Sequence, residues 1–188
     1  TIDDYDILDD VVYEWECATG MKMEFELFSK VFQKDVNNYI LIADDGKIKS
    51  KGGYVKKLSN LDYDLPIVNK SLINYMVHDV SVEDTILNCD ELKEFQMVSK
   101  ISNKYHHILH GDKVLKEKCI RIFASKAPSD AGVFKVSIRT GKPEKISNSP
   151  EHCFIFNDAV NGLKVPEKLD KQWYIKFAKK RLADFGVV

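Results

Sequence analysis

The chain has 188 residues, 44% of them apolar, enough for one generous domain or two small ones with a real core. Its net charge of -1, with 30% charged residues, excludes neither a nucleic acid nor a small ligand, because only the distribution of charge over the surface separates them. Cys17, Cys89, Cys119 and Cys153 stand too far apart for a tetrahedral zinc site, and neither a secretion signal nor a bilayer-length apolar run occurs, so reduced cysteines and a cytosolic setting are expected.

From residue 4 to 20, Ile7, Leu8, Val11, Val12 and Trp15 fall at helical spacing, with Thr19-Gly20 as a stop. Residues 21–28, MKMEFELF, alternate like a half-buried strand. A hairpin follows: a strand over 39–42, a turn at Asp44-Asp45-Gly46, and a return strand with Ile48 inward and Lys47 and Lys49 outward. Asn60, Asp62, Asp64 and Pro66 break the pattern and mark a boundary. Beyond it, Leu72, Ile73, Met76 and Val77 share a helical face, and Ser81 caps a second short helix. Strands are expected within 118–126, 132–138 and 152–156, separated by turns at 127–130 and 140–143. A closing helix is capped by Asp170, buries Trp173, Phe177, Leu182 and Phe185 on one face, and ends at Gly186. The expected fold is α+β, with a helix and an antiparallel hairpin in residues 1–66 and a mixed helical and short-stranded unit in 67–188.

The chemistry-bearing patterns are sparse. Asp3, Asp4, Asp6, Asp9 and Asp10 could hold a divalent metal, but they also suit the solvated first turn of a helix. His106, His107 and His110 have helical metal-ligand spacing without an acid or thiol to complete a site, and read more simply as surface or partly buried histidines. No phosphate-binding glycine loop and no GxSxG elbow is present. Two basic stretches remain. One is the polar face of the last helix, Lys171, Lys176, Lys179, Lys180 and Arg181; the other is the hairpin at 34–57, KDVNNYILIADDGKIKSKGGYVKK. Each could neutralise phosphates or be an ordinary solvated face.

The stretch YEWECATGMKMEFELFSKVFQKDVNNYILIADDGKIKSKGGYVKK (13–57) resembles the segment that follows the DTDS hairpin in the palm of family B DNA polymerases, above all their phage and mobile-element branch. SLINYMVHDVSVEDTI, IRIFASK, ISNSPEHCFIFN and LDKQWYIKFAKKRLADFG extend the likeness over most of the chain. The resemblance implies the last part of a palm over 1–66 and a thumb-like subdomain over 67–188, binding primer–template duplex beside the remainder of the polymerase, with no membrane, in the cytoplasm of a bacterial host. Tyr39 takes the tyrosine position of the family's K-x-Y hairpin, which lies along the minor groove near the primer end. Asn37 stands where the family has its lysine, with Lys34 close by; Asn37 and Asn38 could address minor-groove edges, which differ little between base pairs. Gly52 and Gly53 would let backbone approach phosphate, with Lys49, Lys51, Lys56 and Lys57 adding charge. The family's two metal-binding aspartates and its fingers lysine helix have no counterpart in this chain. It is therefore expected to be inactive alone and to need no cofactor of its own, magnesium belonging to the complete nucleotidyltransferase. Two other classes stay open: a protein-interaction module that docks a partner by strand-edge pairing, and a metal-dependent nuclease built on the N-terminal aspartates.

Overall fold

A computed structural model describes residues 5–24, 26–53, 55 and 64–187. The architecture is α+β, and every strand pairing within it is antiparallel. Helix α1, Tyr5–Thr19, forms where the apolar spacing predicts it and ends at Gly20, whose φ of 69° suits the left-handed stop. None of the described helices is long and apolar enough to cross a membrane.

Among the described residues of 21–28 the alternation does not produce a strand. Met21, Met23 and Leu27 stay exposed; the segment folds back on α1, where Glu16 accepts the Met23 N–H at 2.8 Å and pairs with Lys22. The strand comes later, at β1, Lys30–Asp35, which pairs with β2, Asn38–Ile42. A local turn decides this register: the Asp35 carboxylate accepts the Asn37 N–H at 2.8 Å and the Asn38 side-chain amide at 3.0 and 3.1 Å, closing β1 on β2 at once. The predicted hairpin of β2 with β3, Ile48–Lys51, is present, with Ile42 facing Ile48 and Tyr39 facing Lys51; Ile48, expected inward, is 45% exposed at the start of this edge strand.

Helix α2, Pro66–His78, opens with proline at its first position, where a missing N–H costs nothing. Its stripe Val68, Leu72 and Met76 packs on α4, Lys171–Ala183, through Tyr174, Ala178 and Leu182. Of the predicted face of α4, Leu182 and Phe185 are buried as expected, whereas Trp173 and Phe177 lie only half-buried beside that stripe, and Tyr174 and Ala178 take their place in it. The Trp173 and Phe177 rings stack at 5.0 Å, leaving the slimmer Ala178 to admit α2. Between the two helices come α3, Val82–Leu87, capped by the Ser81 hydroxyl as expected, and a 3-10 turn at Leu92–Phe95.

Two further sheets complete the chain. One has the order β10-β7-β4, where β4 is Met97–Lys100, β7 Cys119–Ala124 and β10 Cys153–Ile155. The other runs β6-β5-β8-β9, with β5 Tyr105–His110, β6 Lys113–Leu115, β8 Val133–Ser137 and β9 Pro143–Lys145. The Tyr174 hydroxyl joins α4 to the first of these, donating to the Phe95 carbonyl at 2.7 Å and accepting the Ala124 N–H at 3.1 Å. Ile40 of β2 and Val55 enter the same buried cluster as Leu72, Met76 and Tyr174.

Candidate nucleic-acid interface

Strand alternation sorts the residues of the small sheet β1-β2-β3. Ile40 and Ile42 point into the core, which puts Tyr39 and Leu41 on the opposite face. Register places Gln33 and Lys51 on either side of Tyr39, and Val31 and Lys49 on either side of Leu41. The result is an outward face with a half-buried phenol at its centre and an exposed ammonium, Lys51, directly across the ladder. A phenol can donate to an acceptor in the minor groove, and an ammonium beside it can meet a phosphate.

The other expected contacts divide. Lys49 lies on the same face but is ion-paired with Glu26, which raises its pKa, and the turn lysine Lys47 is paired with Asp45 at 2.9 Å. Much of the basic appearance of this stretch is thus cancelled within the protein. Lys34 belongs to the other face: it sits with Phe32 on the core side and reaches Asp184 at 3.9 Å. Asn38 spends its amide donors on Asp35, whose carboxyl is held below the usual range chiefly by the Asn37 N–H and then by that amide. Asn37 is exposed at the turn.

Gly52 has φ 102°, and a Cβ there would stand 2.2 Å from Asn38 Oδ1 and 2.4 Å from the Asn37 carbonyl oxygen. The close approach it permits is therefore to the protein's own turn. Gly53 faces open space. Lys56 and Lys57 lie outside the described residues, as do Asp3 and Asp4. Sequence reasoning missed Gln33, Asp35 and Asp184; of these only Asp35 left a signal, the D-x-N-N pattern of a side-chain-latched turn.

The basic face of α4 is mostly committed elsewhere. Lys171 donates to the Leu87 and Cys89 carbonyls, both at 2.7 Å, Lys179 pairs with Glu83, and Arg181 donates to Asn69 and lies over the Phe177 ring. Lys176 and Lys180 are exposed. The histidines sit on strand β5 rather than on a helix, so the expected ligand spacing does not converge. His106 and His107 meet each other at 2.9 Å, while His110 Nε2 lies 3.1 and 2.8 Å from the Ala131 and Cys153 carbonyl oxygens, to which it can only donate. Among the described residues no group of three or more histidine, cysteine or acidic side chains is placed to hold a metal ion.

No protein-family model matches the chain, and a search of curated proteins gives no significant match.

Proposed function

We propose that this chain is the C-terminal palm and thumb part of a family B DNA polymerase and that it grips primer–template duplex through the outer face of β2 and β3. The observation that carries the reading is Tyr39 set opposite Lys51 on a solvent-facing surface whose reverse, Ile40, is fixed in the core. Rigid backing lets such a face read the shape of a groove rather than wrap it. Contact is made to features shared by all base pairs, so affinity depends on salt and little on sequence. Residues 1–66 form the palm portion and 67–188 the thumb portion. In this reading no chemical step falls to this chain; magnesium and its aspartates belong to the remainder of the polymerase, in a bacterial host.

The test is fluorescence anisotropy of a labelled primer–template duplex at two salt concentrations, with wild type and with Tyr39→Ala/Lys51→Ala. Binding that weakens with salt and weakens further in the double variant supports the reading. Wild-type binding by the double variant removes the hairpin from the interface.

A second reading, a protein-interaction module, draws on the surface of the N-terminal half. β1 and β3 are both edge strands of their sheet, and Ile7, Val11, Trp15 and Leu27 are exposed. In the polymerase reading that apolar surface receives the remainder of the polymerase; in the second it receives a separate partner, and the duplex titration shows no binding.

A further inference from the structure

Lys30, Lys47, Lys49, Lys70, Lys164 and Lys179 each reach a carboxylate. Lys51, Lys176 and Lys180 have no such partner among the described residues, and at one end of the sheet β6-β5-β8-β9 two further cations lack one and share a groove. The Ile138 N–H donates to the Lys104 carbonyl at 2.9 Å, fastening the residues after β8 to the turn before β5. Lys104 and Arg139 are thereby placed along one groove of about 550 Å³, which Asn103, Tyr105 and Glu144 also line. Neither cation has a carboxylate partner among the described residues, and both are exposed.

The one acid in the lining is already engaged. Glu144 accepts the Tyr105 hydroxyl at 2.9 Å and stands directly across the ladder from Lys135, whose ammonium lies 4.2 Å from the centre of the Tyr105 ring. Lys142 and Lys145, on the same β8–β9 turn and strand, are exposed as well. Two unmatched cations over one satisfied carboxylate leave a positive field at the mouth of the groove. Asn103 adds an amide, although its carbonyl oxygen already accepts from Lys118 at 3.2 Å. The space exceeds what a bare phosphate needs and suits a phosphate carried on a larger polar body.

We propose that this groove binds the phosphate of a nucleic acid or nucleotide, with Lys104 and Arg139 as the recognising cations. The site lies on a different sheet from the hairpin and stands whether or not the polymerase reading does. Two sources share its chemistry, the backbone of a strand and a free nucleotide.

The experiment follows the backbone amides of Lys104, Ile138 and Arg139 in the isotope-labelled full chain while duplex DNA, and separately dATP, is added. With duplex, these amides shift, and they still shift in Tyr39→Ala/Lys51→Ala. Lys104→Ala/Arg139→Ala weakens duplex binding about tenfold or more and flattens the salt slope by about 1.8, at about 0.9 for each phosphate that is no longer neutralised. Shifts with dATP alone assign the groove to free nucleotide. If neither ligand moves these amides, or the variant keeps wild-type affinity and slope for each, the groove is not a phosphate site, even where the hairpin variant shows that the sheet β1-β2-β3 binds DNA. Both substitutions are at exposed positions, and an unchanged amide spectrum in the core verifies the fold.

Discussion

In α4 the stripe Tyr174, Ala178 and Leu182 is at most 2% exposed, whereas the stripe Ile7, Val11 and Trp15 of α1 is 61, 58 and 37% exposed. Both have helical periodicity, and both were legible as amphipathic. Periodicity establishes that a helix offers an apolar face; it does not establish that the same chain supplies the cover. The helices and sheets of the C-terminal half meet in one buried cluster. The N-terminal half joins that cluster through Ile40 and Val55, with Phe32 packed against it, and among its described residues Ile7, Val11, Trp15 and Leu27 stay exposed.

This contrast breaks most easily by truncation. Leu72→Ala, at a fully buried position, should cost about 2–5 kcal/mol in chemical denaturation, while Ile7→Ala and Val11→Ala should stay within about 0.5 kcal/mol. Equal costs at both ends would mean that α1 is packed in solution. Tyr174→Phe comes next: it strips partners from the buried Phe95 carbonyl and Ala124 N–H and should cost about 1–3 kcal/mol by the same measurement. A stability within error of wild type would reduce that hydroxyl to a bystander.

Gly52→Ala tests the N-terminal half alone. An added methyl meets the Asn37–Asn38 turn, so hydrogen exchange of the β2 and β3 amides should accelerate by about tenfold, the factor given by about 1.4 kcal/mol. Protection around Tyr174 should stay the same. If both regions lose protection together, the two halves unfold as one unit.

The smallest effect is chemical. Burial pushes the Cys153 thiol up to about 12, while Cys17 and Cys119 are exposed. Iodoacetamide at mildly alkaline pH should label those two and spare Cys153 until the protein unfolds, as mass spectrometry of the peptides will show. Because the folded value lies above the unfolded one, the contribution of this thiol to stability is complete below about 9. It is lost as pH rises from there toward about 12.

What could be read ahead of the structure was local. Caps at Ser81 and Asp170, the Asp44-Asp45-Gly46 turn and the β-rich stretches that became β7 and β8 are dictated by neighbouring residues, and each emerged in place. The strand expected at 21–28 failed because alternation needs a sheet to pair with, and β2 had already been taken by Lys30–Asp35 through the Asp35 latch. The short strands β5, β6 and β9 carried no usable period, since the exposed residues His106, Lys113, Glu144 and Lys145 interrupt any alternation. On the hairpin the two strands and their turn were legible, while the pairing of Tyr39 with Lys51 came only with the register. The diversion of Lys34 to Asp184 depends on a residue 150 positions away, which no local pattern reports.

The two ends of β1 have one more property. Lys30 reaches Asp79, the residue that ends α2, and Lys34 reaches Asp184, the residue that ends α4, at 3.4 and 3.9 Å. Mechanically, β1 is a beam resting on two ionic struts, with Ile40 as the pivot beneath its neighbour. Exposed pairs of this kind are each worth well under about 1 kcal/mol and weaken with salt. The sheet is therefore mounted softly at its rim and firmly at its centre. Salt should thus loosen the contacts of β1 with the last turns of α2 and α4 while Ile40 stays buried.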